Sequence, residues 1–156
     1  MIFLRRFLVL IALMFWQGGF TFYVAVVVPA GHAVLRPSFH QAFVTRLVTF
    51  YLNVAGAVAL VLLAWEAAST RDPSAVRRRW RWAAWLGMVV ALGVLVWLHP
   101  RLDAHMDAEN LRILDHDGLN PIHRAYLWVS TAQWGCAVIY AFLTLQAWRA
   151  EDTRAT

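Results

Sequence analysis

Four stretches of the chain, at about 7–29, 47–65, 82–98 and 125–148, run almost without charge, and the polar residues gather in short clusters between them. The third, WAAWLGMVVALGVLVWL, carries no charged or strongly polar side chain at all. A soluble helix keeps one apolar stripe and a polar back, whereas a helix apolar all round is buried in lipid or in a large core. A chain of 156 residues cannot build a core around four such helices. Each stretch also reaches or approaches the roughly 20 residues that cross a bilayer core of about 30 Å. The pattern predicts an all-α integral membrane protein, a four-helix antiparallel bundle forming a single transmembrane domain. Its spans are expected at about 7–29, 46–66, 81–99 and 121–149.

The segment between the third and fourth spans has a different period. Pro100 suits a first helical turn and Gly118 a helix end, so 101–117 reads as an amphipathic extramembrane helix of roughly 25 Å. At 100° per residue, Leu102, Met106 and Ile113 share a face with His99, Asp103, Asn110 and Asp117. His105, Glu109, Arg112 and His116 fall on a neighbouring polar face and are expected to meet water. At the N-terminus, MIFLRR followed by an apolar run resembles a signal peptide, but the run is too long for an h-region and no small-x-small site follows. It is read as a retained first helix.

Composition supports this picture without redirecting it: 61% of the residues are hydrophobic, and nine are Trp. Charge adds an orientation. The chain has no lysine. With four spans, Arg5, Arg6, Arg71, Arg77, Arg78, Arg79, Arg81, Arg149 and Arg154 share one side, nine against the five of Arg36, Arg46, Arg101, Arg112 and Arg124. The excess of positive residues in cytoplasmic loops puts both termini and the RRRWRW segment in the cytoplasm. Anchoring to anionic headgroups accounts for that segment, and no nucleic-acid partner is expected. Missing lysine with abundant Arg and Ala suggests a GC-rich bacterial genome, hence an inner membrane.

All six histidines then lie on the non-cytoplasmic side. His32 and His40 stand in the first outer loop, and His99, His105, His116 and His123 in the second. The single Cys136 allows no disulfide within one chain and reads as a small packing residue.

The Gly-rich FWQGGFTFYVAVVVP, the stretch LRPSFHQAFVTRLVTFYLN, WLHPR with its trailing AHM, and the IH that follows Pro121 occur in an order that resembles the transmembrane protein 205-like family (domain of unknown function 4149). The likeness covers most of the chain. It implies an integral membrane helical bundle without an established reaction; a suggested link of the family to tolerance of metal-based drugs fixes no mechanism.

Two site chemistries follow from the outer histidines. His99 and Asp103, at i and i+4, with His123 and one of His32 or His40, would suit a divalent transition metal. His105 and Glu109 can share an ion, with His116 too far away to join. Neither has a tight signature such as HExxH; a solvated helix held by i,i+4 charge pairs explains the same residues. A b-type haem needs two imidazoles facing each other between helices, which only the outer rim could supply, so haem is disfavoured and no cofactor is expected.

Within the spans the polar residues are Gln17, Thr21, Thr49, Asn53, Ser130, Thr131 and Gln133, with Glu66 placed at the cytoplasmic rim. A proton relay needs an ionisable group inside the membrane, and none lies deep in a span. Gln17, Asn53 and Gln133 are expected to bond across helices, with Gly18, Gly19 and Gly56 permitting close approach. The function that follows is non-enzymatic: a scaffold or a subunit that binds a membrane-protein partner or a second copy of itself within the lipid bilayer. The alternative is a metal-handling or tolerance protein.

Overall fold

The computed structural model describes residues 2–35, 40–107 and 112–154. It is all-α, with four helices packed together: α1 (Ile2–Val34), α2 (His40–Ser69), α3 (Ala75–Asp103) and α4 (His116–Asp152). All four are long and apolar enough to cross a membrane. The third and fourth share the most extensive contact, α3 also packs on α2, and α2 on α1.

Local chemistry sets the ends. Ser74 caps α3, its side chain accepting from the Arg77 amide at 3.3 Å, which satisfies one of the orphan N–H groups of a first turn. Asp115 caps α4 by accepting from the amides of Asp117 and Gly118, each at 3.1 Å. The first helix is not uniform. It widens into π-helical turns at Met14–Gly18 and Tyr23–Val27. Pro29 follows the second turn and lacks the N–H that would bond back to Ala25.

The core is a cluster that includes Val9, Trp16, Leu60, Leu63, Met88, Tyr140 and Trp148, with a smaller one around Leu95, Leu98 and Tyr126. Gly56 admits Trp16, since a Cβ there would lie 2.8 Å from the indole ring. Outward faces stay apolar: Val61 is 70% exposed and Phe142 60%. Such surfaces on every helix are what lipid would cover.

The amphipathic helix expected over 101–117 is not formed. The third helix runs through Pro100 and ends at Asp103, Met106–Asp107 pairs antiparallel with Arg112–Ile113, and α4 begins at His116. Met106 stands opposite Ile113 in this hairpin. A seven-residue separation brings two apolar residues together on a helix face and across a short hairpin alike, so periodicity could not distinguish the two. Helix capping decides it: Asp115 starts a new helix, and Gly118, read as a helix end, lies in its first turn. A side chain at Gly118 would collide with Asp115 and His105. His105 therefore does not simply meet water. Its Nδ1 donates to the Arg101 carbonyl at 2.8 Å and its Nε2 lies 3.8 Å from Asp115 Oδ2. Glu109 and Asn110 lie outside the described residues, as does the side chain of His116.

Candidate functional site

The helices enclose a cavity of about 310 Å³ at the end that carries the histidines. All four contribute to it. Its walls include Val24 and Val28 of α1, Leu52 of α2, Leu102 of α3 and Leu127 of α4. Its volume lies at the lower limit of the roughly 300–1,000 Å³ typical of small-molecule sites. His32, Arg46, His99, Asp103 and His123 line it as well. The metal candidates His99, Asp103 and His123 thus share one cavity.

Within it the Asp103 carboxylate is already paired with an arginine. Asp103 accepts from Arg46, Nε to Oδ1 at 2.5 Å and NH2 to Oδ2 at 3.1 Å. This bidentate pair occupies the carboxylate that a cation would need. His99 Nε2 is 4.0 Å from Asp103 Oδ2, and its ring leans on Phe50 at 6.3 Å between centroids. Among the described residues no three His, Cys, Asp or Glu side chains converge on a point where an ion could be held. His32 Nδ1 donates to the Val28 carbonyl at 2.9 Å, leaving Nε2 as its remaining ring nitrogen.

One wall of the cavity is a polar ladder between α1 and α2. Gln41, 2% exposed, donates to the Tyr23 hydroxyl at 3.2 Å, Tyr23 donates to Thr45 Oγ1 at 2.8 Å, and Thr45 donates to the Gln41 carbonyl at 2.9 Å. Tyr23 reaches this position from the second π-helical turn of α1. The hydroxyl chain ends on a backbone carbonyl. Among the described residues no hydroxyl or thiol on the cavity wall is hydrogen-bonded to a histidine or a carboxylate, the arrangement that would activate a nucleophile.

Below the main cavity lies a pocket of about 20 Å³, lined in part by Gln17, Asn53 and Gln133, the amides singled out in the spans. Phe20, Thr49, Leu52, Tyr126 and Ser130 line both spaces. Asn53 donates to the Tyr126 hydroxyl at 3.2 Å, and Gln133 to the Met88 carbonyl at 3.2 Å, each reaching another helix. Gln17 does not make the bond expected of it. Its Oε1 is buried with no hydrogen-bond partner. The neighbouring amides bond to Tyr126 and Met88 instead.

The opposite end has a different chemistry, which sequence reasoning missed. Glu66 was placed at the rim, yet it is completely buried. Its carboxylate pairs with Arg81 and accepts from Thr70, both closely, and from Trp148 Nε1 at 2.7 Å. The Tyr140 hydroxyl lies 3.0 Å from it and 2.6 Å from the Leu63 carbonyl. Around this knot, Arg5 and Arg6 pair with Glu151 at 3.0 Å each, Arg6 also with Asp152 at 2.8 Å, and Arg77 with Asp72 at 2.5 Å. The only advance signal was a lone carboxylate closing the apolar run LVLLAWEAA, with indole and phenol donors eight residues apart on the last helix. Compared with protein-family models, with curated proteins and with solved structures, the chain matches none.

Proposed function

We propose that this chain is a non-enzymatic integral membrane protein of the transmembrane protein 205-like kind, a scaffold or subunit that acts by binding. Its helices cross the bilayer as an antiparallel bundle, in a bacterial inner membrane, with both termini cytoplasmic. Charge supports this orientation. The end holding Arg81 and Arg149 carries nine arginines against Glu66, Asp72, Glu151 and Asp152, leaving five positive charges. The two sequence segments that carry the histidines hold the other five arginines. The bias toward positive cytoplasmic loops counts arginine and lysine, and nine arginines against five favour the first side as the cytoplasmic one.

The observation that carries the binding role is the cavity: it is largely apolar, it is lined by all four helices, and among the described residues its wall pairs no nucleophile with a base. Such a space receives a guest from the bilayer. In proteoliposomes, a diazirine-bearing alkane should label the inner-wall residues Thr45 and Leu102 saturably. Thr49→Trp, which fills the cavity, should abolish that component. Labelling that never saturates and spreads evenly over the outer faces would overturn the binding role. Orientation is tested separately in a Cys136→Ala background. Ala75→Cys should react with an impermeant maleimide only from the cytoplasmic side and Leu114→Cys only from the other.

A further inference from the structure

Three features narrow what the cavity would accept. The first is its side entrance. Trp134 Nε1 donates to Thr21 Oγ1 at 3.1 Å, tying α4 to α1. Beyond that tie, toward the histidine end, Val24 and Leu127 line the cavity and are also 45% and 47% exposed. Exposure of this size on two cavity-wall residues is what a side opening between α1 and α4 would give, with an apolar residue on each flank. A guest reaches it from the hydrocarbon of the bilayer.

The second is the state of the mouth. Among the described residues Arg46 is the one arginine lining the cavity, and Asp103 already holds it with two hydrogen bonds. Asp103 already neutralises that charge, so an anionic headgroup would enter beside a carboxylate and not beside an unpaired cation. An uncharged guest meets no such repulsion.

The third is the floor. Gln17 Oε1 is buried and unpartnered, beside a pocket of about 20 Å³. This is about the space of one water, since roughly 10–15 Å³ on this measure suffices. A buried polar atom without a partner has lost its water and gained nothing in return, so a group that bonds there is favoured. Amide oxygen and nitrogen are interchangeable in shape. Turning the Gln17 amide over would replace a missing donor by a missing acceptor. A hydroxyl supplies both.

We infer that the cavity and its floor form one site for an uncharged, single-chain or ring-bodied lipid-like alcohol, its apolar body along Leu52 and Leu102 and its hydroxyl at Gln17. This rests on the binding role proposed above and adds the head chemistry. The floor pocket takes the hydroxyl in place of a water, and the apolar walls replace acyl chains.

The test compares two probes in proteoliposomes: competition by 1-dodecanol and by dodecane against the saturable alkane label. In the unaltered protein the alcohol should compete about tenfold better, as one net hydrogen bond of about 1.4 kcal/mol implies. Gln17→Met, similar in size, should erase this preference while keeping hydrocarbon binding, and that retained binding reports an intact fold. Equal competition in the unaltered protein overturns the alcohol inference, as a floor held by water would produce, and leaves the binding role standing. A preference that survives Gln17→Met refutes the placement of the hydroxyl. A dodecanoate that outcompetes the alcohol shows instead that the mouth takes anions. If no probe labels saturably, both readings fall.

Discussion

Glu66 and Arg81 are fully buried partners, 0% and 1% exposed, contributed by α2 and α3 and joined through Tyr140 and Trp148 to α4. Breaking such a pair on one side leaves a buried charge alone, at about 3–5 kcal/mol, whereas replacing both members by apolar or neutral groups is often close to neutral. Glu66→Gln is therefore expected to destabilise the protein by about 3–5 kcal/mol. Glu66→Gln combined with Arg81→Met should recover most of that loss. Arg81 Nε has no hydrogen-bond partner as it stands, so its removal leaves no acceptor unpaired at that atom. Unfolding in detergent with added denaturant measures both; a double variant no better than the single one refutes the pair as the source.

The ion pair at the other end should behave differently. Arg46 and Asp103 have side chains 40% and 27% exposed. Solvent screens such pairs to about 0.2–1 kcal/mol. Arg46→Gln should accordingly cost under about 1 kcal/mol, and less at high salt. A loss comparable to that of Glu66→Gln would show that the mouth of the cavity depends on this bridge.

The approach of Trp16 to Gly56 predicts a steric effect with a rescue. Any Cβ at 56 would fall 2.8 Å from the indole, and a rigid ring on a packed helix cannot yield as a flexible tip can. Gly56→Ala should cost about 1–3 kcal/mol through overpacking. Trp16→Leu in the same chain should restore part of it. Additive losses in the double variant would place the cause elsewhere.

Acid should loosen the turn between α2 and α3. Burial of Asp72 works to raise its pKa, but the Arg77 hydrogen bonds, the Ser74 amide and the charges of Arg77 and Arg81 outweigh it and hold the carboxyl below its ordinary range. A carboxyl depressed in the folded state adds stability that is fully present above its unfolded pKa of about 3.9 and is lost as pH falls through the folded value. Asp72→Asn should cost about 1.5–3 kcal/mol at neutral pH and flatten the fall in stability below about pH 4. An unchanged acid limb in this variant would assign the effect to another carboxylate.

What the sequence determined by itself is what depends on short range and on composition. Runs such as WAAWLGMVVALGVLVWL are apolar on every face, so helix length and outward character follow from local hydrogen bonding and side-chain type. The uneven placement of arginine was legible for the same reason. Tertiary structure decided everything that needed a partner far along the chain. Glu66 reads as a rim residue until Arg81, Tyr140 and Trp148 are brought to it, 15, 74 and 82 residues away. Met106 and Ile113 fit a helix stripe or a hairpin equally well until Asp115 caps the next helix. That His99, Asp103 and His123 share a cavity, and that Arg46 from a third helix pairs with Asp103, emerges only once the helices are packed. Gln17 looks like its fellow amides, and only the packed bundle leaves its oxygen buried without a partner beside a small space. Periodicity reports which face of a helix is apolar, but whether a polar group on it is satisfied depends on distances between helices, and those exist only once the bundle is packed.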